Sequence, residues 1–191
     1  KAQTMKNKNS AITINLHALR RNYAALNKHS APNCKTAAAI KANAYGIGAE
    51  YAATALIEEG CRDFFVANLD EALQLRTHFP KINIYILNSV TKDTATELKE
   101  NALTPVIHSL ETLEFYQGPA ILHFDTAMNR LGLTAYETRT LIENRADLLG
   151  AIDIKYIMSH LASAEEPQNP LNALQLKRFQ SIAGHFKGIP A

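Results

Sequence analysis

Residues 36–60 read TAAAIKANAYGIGAEYAATALIEEG. The segment opens on a short apolar run, TAAAIKA, and passes through a glycine-bearing turn. It continues as AEYAATALIEEG, a helical pattern with Gly60 as its stop. This is one strand-turn-helix unit. Similar apolar runs recur as DFFVAN (63–68), INIYIL (82–87), TPVIH (104–108), AILHF (120–124) and IKYIMSH (154–160), giving six strands with helical patterns between them. One such helix is expected in TAYETRTLIEN (134–144), where Thr134 and Glu137 have capping-box spacing, and another in PLNALQLKRFQSIAGHF (170–186). Upstream, AITI (11–14) gives a further short strand signal, and Asn15 caps a helix carrying Leu16, Leu19, Tyr23 and Leu26 on one face.

Strands that are apolar on both faces and alternate with helices predict a parallel α/β fold. Two architectures satisfy that pattern, a doubly wound sheet and a parallel β/α barrel of the TIM type. Neither GxGxxG after the first strand nor GxxxxGK[ST] is present, which favours the barrel. A closed barrel needs eight strands and about 250 residues. Six of the eight βα units are expected here, so the chain reads as part of a longer protein. Residues 1–10 read as a loose leader or a remnant of processing, and residues 11–191 as the barrel domain.

Composition narrows the function. With 191 residues, 47% of them hydrophobic and 20% charged, the chain can build one sizeable core. Its 20 Lys and Arg against 18 Asp and Glu give a net charge of +2, too balanced for a nucleic-acid footprint. No apolar run approaches the roughly 18 residues that span a bilayer, and the polar start lacks a signal-peptide core, so a cytoplasmic location without membrane attachment is expected. Cys34 and Cys61 form no CxxC pair and are read as reduced structural thiols.

In a parallel βα fold the chemistry gathers at the carboxyl ends of the strands. Three clusters meet that condition: Lys41 with Asn43 and Tyr45, HFDTAMNRLGL (123–133) with His123, Asp125 and Arg130, and MSHLAS (158–163) with His160. A lysine closing an apolar strand has two readings. It snorkels to solvent, or it is desolvated, which favours a neutral amine able to form a Schiff base with a carbonyl substrate or pyridoxal phosphate. Tyr45, Gly46 and Gly48 fit either an ordinary loop or a phosphate-contacting turn, since a phenol donates to phosphate and glycine permits close approach. Arg130 offers a fork for a carboxylate, phosphate or phenolate, or an ordinary ion pair. His160 either orients a cofactor group or is a satisfied core histidine. His123 and Asp125, two apart on a strand, share a face.

Three of these stretches resemble the alanine racemase family, whose fold is the pyridoxal-phosphate barrel. IKANAYGIGA (40–49) is similar to its lysine motif, HFDTAMNRLG (123–132) to its arginine motif and SHLASAEE (159–166) to its histidine motif. INLHALRRNY (14–23) and VANLDEALQLR (66–76) are similar to further family segments in the expected order, so the resemblance runs along nearly the whole chain from residue 11.

The resemblance implies that Lys41 carries pyridoxal 5'-phosphate covalently and moves protons on the D-alanine side. It further implies that Tyr45 holds the cofactor phosphate, that Arg130 contacts the cofactor phenolic oxygen and the substrate carboxylate, and that His160 supports the ring. The implied reaction is interconversion of L-alanine and D-alanine for cell-wall peptidoglycan. The implied assembly is a homodimer, in which the second base is a tyrosine of the partner's carboxyl-terminal β domain. That domain is expected to lie outside this chain, so the isolated chain is expected to racemise poorly.

Three positions depart from the pattern: Ile47 for a histidine, Ala127 for a common glycine, and His123 for a lysine that becomes carbamylated in many members. A histidine supplies no carbamate, so Arg130 must be oriented in another way. A metal-dependent barrel hydrolase with His123, Asp125 and His160 as ligands, and a non-racemising pyridoxal-phosphate protein of the same fold, are the alternatives. In the favoured reading no metal is required.

Overall fold

The computed structural model describes residues 12–30, 32–88 and 90–191. The predicted leader, residues 1–10, lies outside them. The strand expected over AITI is absent at residues 12–14, which run without regular structure into α1 (Leu16–Ser30). A lone strand leaves its N–H and C=O groups without a ladder, and among the described residues no β-bridge reaches 12–14. The cap is where the sequence puts it: Asn15 Oδ1 accepts the Ala18 N–H at 3.0 Å.

The chain divides after Leu87 into two compact units. The first holds β1 (Ala38–Ala39), β2 (Asp63–Val66) and β3 (Asn83–Ile86), parallel and paired in that order, with α2 (Ala49–Glu58) and α3 (Leu69–His78) as the crossovers. Alternation on β2 buries Phe64 and Val66. The other face carries Phe65, whose ring meets its register partner Tyr85 at 4.8 Å between centroids. Asp63 Oδ1 fixes that register by accepting from Asn83 Nδ2 and Tyr85 Oη, each at 2.8 Å. Gly60, at φ +91°, ends α2 as predicted and lets the Cys61 N–H reach Leu56 O at 3.0 Å.

The second unit holds β4 (Thr104–Ile107), β5 (Gly118–His123) and β6 (Ile152–Met158), again parallel and paired in order. Its helices are α4 (Ala95–Glu100), α5 (Leu110–Phe115), α6 (Ala135–Glu143) and α7 (Pro170–Ala183), with a 3₁₀ turn at Ala146–Ala151. The predicted capping box starts α6: Thr134 Oγ1 accepts the Glu137 N–H, and the Glu137 carboxylate accepts the Thr134 N–H at 3.0 Å. The middle strand β5 is buried from Ala120 to His123, which matches its unbroken apolar reading. Each fully buried Leu, Ile or Phe contributes about 1.5–3 kcal/mol. Ile107, Ile121, Leu122, Phe124, Leu133 and Leu141, all at 1% exposure or less, are therefore among the main contributors to the cohesion of this unit. All six predicted strands are present, three in each unit.

Candidate active site

Each predicted cluster lies just beyond the carboxyl end of its strand: Lys41 after β1, Asp125 to Arg130 after β5, and His160 after β6.

In the first unit β1 is shorter than its apolar run. Ile40 still donates its N–H to Phe65 O at 2.9 Å, and Lys41 is the first residue of a turn instead of the last of a strand. Ala42, Asn43, Ala44 and Tyr45 all take left-handed backbone angles, with φ of 51° to 54°. The turn is closed by Ala44 N–H to Ile40 O at 2.8 Å and Gly48 N–H to Asn43 O at 2.9 Å. Such a conformation costs about 1–2 kcal/mol per L-residue. A run of four therefore stores several kcal/mol that surrounding contacts must offset.

Two side chains supply those contacts. Asn43 Oδ1 accepts the Ala49 N–H at 2.8 Å, tying the turn to the start of α2. Glu71, in the first turn of α3, accepts the Ala42 N–H on Oε1 at 2.8 Å and the Ala67 N–H on Oε2 at 2.7 Å. Hydrogen bonds to an ionised carboxylate contribute about 1.5–3 kcal/mol each, comparable with the strain. Lys41 and Tyr45, four residues apart, bracket the turn, and Tyr45 is 67% exposed.

In the second unit Asp125, Arg130 and His160 lie near enough to His123 to act on its charge. The His123 ring is buried, with its Nδ1 3.1 Å from Nδ1 of His108 at the end of β4. Burial first, then the neighbouring His108 and His160, push His123 down to about 4, with Asp125 opposing and Arg130 adding a smaller push the same way. His123 is therefore neutral near pH 7. Asp125 is spent on the backbone: its Oδ1 accepts the N–H groups of Ala127, Met128 and Asn129 at 2.9, 2.9 and 3.1 Å. The HxD pair that suggested metal ligands thus braces a loop. Among the described residues no three His, Cys, Asp or Glu are grouped to hold a metal ion.

That loop carries Arg130 and folds back on β5. Leu133 N–H reaches His123 O at 2.7 Å, and Asp125 N–H reaches Leu133 O at 3.0 Å. Gly132, at φ +111°, permits this: a Cβ there would lie 2.7 Å from the Asp125 nitrogen. Ala127 sits at φ 129°, a backbone region that glycine favours. The departure from glycine at this position is therefore also a local strain.

The loop with His160 is held by Gln175 of α7, which is 1% exposed. Its Nε2 donates to His160 O at 2.9 Å and Thr126 Oγ1 at 3.3 Å, and its Oε1 accepts the Ala162 N–H at 2.9 Å. Sequence reasoning missed Gln175, Glu71 and His108. Gln175 was hidden on the apolar face of α7, at helical spacing from Leu171 and Phe179. Asn68 and Glu71 have capping-box spacing, and Asn68 Oδ1 does accept the Glu71 N–H at 3.0 Å. The glutamate, however, reaches Ala67 and Ala42 instead of closing the box.

Residues 14–191 match the family model for the alanine racemase N-terminal domain. Alanine racemase of Brucella abortus is 43% identical over 190 residues, covering 94% of this chain and 48% of that protein. Alanine racemase of Rickettsia rickettsii is 44% identical over 193 residues, covering 94% and 53%. The crystal structure of alanine racemase from Bartonella henselae with covalently bound pyridoxal phosphate aligns with a TM-score of 0.84 at 36% identity, covering 93% of this chain and 53% of that one. The chain spans about half the length of the curated relatives it matches. Its fold class is the expected α/β barrel of the TIM type, with six of the eight βα units. Across nearly all of its length, the chain belongs to the alanine racemase family.

Proposed function

We propose that the full-length protein is a racemase that interconverts L-alanine and D-alanine, with pyridoxal 5'-phosphate held on Lys41, and that it supplies D-alanine for cell-wall peptidoglycan. The observation that carries this reading is the left-handed turn opened by Lys41 and closed by Tyr45 at the carboxyl end of β1. The donor set fits the cofactor. An aldehyde requires a primary amine, which Lys41 supplies, and a phosphate requires donors, which the exposed phenol of Tyr45 supplies. The names of the relatives support the reaction, and the Bartonella henselae structure supports the covalent attachment.

Pyridoxal phosphate, when bound, draws electrons from the amino acid's α-carbon and makes its hydrogen removable. Lys41, freed when the substrate's amine takes its place on the aldehyde, would move the proton on one face as a general base and acid. Arg130 would offer its planar fork to the substrate carboxylate and the cofactor's phenolic oxygen, as the family resemblance implies. His160 supports the ring. The opposite face is served by a base of the partner subunit in a homodimer, as the family resemblance implies. A cytoplasmic location belongs to the same proposal, and the unpaired Cys34 and Cys61 suit a reducing compartment.

Borohydride reduction followed by peptide mapping tests the reading. Pyridoxyl on Lys41, together with D-alanine formed from L-alanine by the full-length protein, is the expected result. Label on another lysine would overturn the assignment of Lys41. Label on Lys41 without D-alanine would leave a cofactor carrier of the same fold.

A further inference from the structure

We propose that Glu71 is a positioning residue for Lys41: its carboxylate clamps the strained left-handed turn that presents the lysine. The inference rests on the reading of Lys41 as the cofactor lysine.

The clamp is defined by two bonds. Oε1 takes the N–H of Ala42, the residue after Lys41, and Oε2 takes the N–H of Ala67, just beyond the end of β2. One carboxylate thus joins the turn after β1 to the turn after β2, and both of its oxygens are engaged. Packing holds the middle of the turn, where Ala44 is 3% exposed, but not its start. Ala42 is exposed, and Ile40, Asn43 and Glu71 border a cavity of about 550 Å³. Turn residues with positive φ would relax toward ordinary angles if released, and Lys41 would then lose its fixed direction.

Charge matters as much as shape. A carboxylate accepts on both oxygens, whereas a glutamine at 71 offers one acceptor and sets its NH₂ group against the other backbone N–H. Glu71→Gln therefore breaks one arm of the clamp without changing side-chain volume. Glycine at position 42 has no penalty for positive φ, so Ala42→Gly should lessen the need for the clamp. A role confined to anchoring α3 on Ala67 would gain nothing from that second change.

The experiment uses the full-length protein as wild type, E71Q, E71Q with A42G, and a Q74A control on the same cavity wall. Amide hydrogen exchange is read at Ala42 and Ala67. In parallel, the rate at which Lys41 takes up pyridoxyl from added pyridoxal phosphate is followed by borohydride trapping and peptide mapping. E71Q is expected to speed exchange at Ala42 about tenfold or more and to slow labelling of Lys41 by a similar factor. A42G is expected to restore labelling, and Q74A to change neither. The proposal is overturned if exchange rises at neither Ala42 nor Ala67, because glutamine keeps one acceptor and must release one of the two arms. It is equally overturned if exchange at Ala42 rises while labelling holds, or if A42G fails to rescue. A wild-type protein that never labels at Lys41 instead overturns the cofactor reading, and exchange at Ala42 and Ala67 still decides whether Glu71 holds the turn.

Discussion

The Nδ1 atoms of His123 and His108 lie 3.1 Å apart, so one ring must donate to the other and the two cannot both be charged at that distance. His123 is pushed down to about 4 by burial first, then by the neighbouring His108, His160 and Arg130, while an unfolded histidine titrates near 6.5. Between these values the unfolded chain binds the extra proton, so stability falls as pH drops from about 6.5 toward 4. The ceiling is about 3 kcal/mol, reduced to about 2 kcal/mol by residual solvent screening. Urea unfolding across pH 4.5 to 7.5 should show this acid limb, and H123Q should flatten it. An unchanged slope in H123Q would place the acid sensitivity elsewhere.

Ala127 at φ 129° carries a strain that glycine removes. A127G is expected to stabilise the protein by about 1 kcal/mol. The gain should appear as a higher urea midpoint with an unchanged slope, because only the local backbone of the loop is relieved. A lower midpoint would mean that chain entropy outweighs the strain.

The strand-helix alternation was legible because each strand is a short apolar run and several helices carry caps that follow local rules, as Asn15, Gly60 and Thr134 with Glu137 illustrate. AITI failed for the opposite reason: a strand needs a neighbour, and a neighbour is not a local property. At the proposed site, residue type and strand-end position singled out Lys41, Tyr45, Arg130 and His160 as candidates, but not the conformation of the turn and loops that carry them. Alanine and tyrosine give no local cue for left-handed backbone; Asn43 tolerates it and bonds locally to Ala49, but the other offsetting bond comes from Glu71, 29 positions away from Ala42. Asp125 misled because an aspartate two residues from a histidine looks alike whether it binds an ion or braces three amides.

Gly132 sits where the Arg130 loop returns to β5, and a Cβ there would meet the Asp125 nitrogen at 2.7 Å, the Phe124 carbonyl carbon at 3.0 Å and the His123 oxygen at 3.1 Å. All three are backbone atoms, which cannot swing aside. G132A should therefore destabilise the protein by about 2 kcal/mol or more, from the overlap and the positive φ together. The damage should centre on the loop. Amide exchange at Leu133 and Asp125, whose N–H groups make the returning bonds, should accelerate before that of β5. Uniform acceleration would indicate a global effect.

Gln175 makes the opposite kind of contact, a buried amide bonded to His160 O, Thr126 Oγ1 and the Ala162 N–H. Q175A leaves Thr126 Oγ1 its bond to Ser159 Oγ at 2.7 Å but strips His160 O and the part-buried Ala162 N–H of their partner, so a loss of about 2 kcal/mol is expected. Q175E separates hydrogen bonding from size. An ionised carboxylate can accept from Ala162 but cannot donate to His160 O, and it faces that oxygen with like charge. Its carboxyl should be held above the unfolded value of about 4.3, so the deficit against wild type should be smallest in acid and grow as pH rises through the folded value. Parallel urea titrations of wild type, Q175A and Q175E at several pH values measure this difference. A Q175E deficit independent of pH would show that Gln175 is held by packing alone and that its donation to His160 O does not fix the loop.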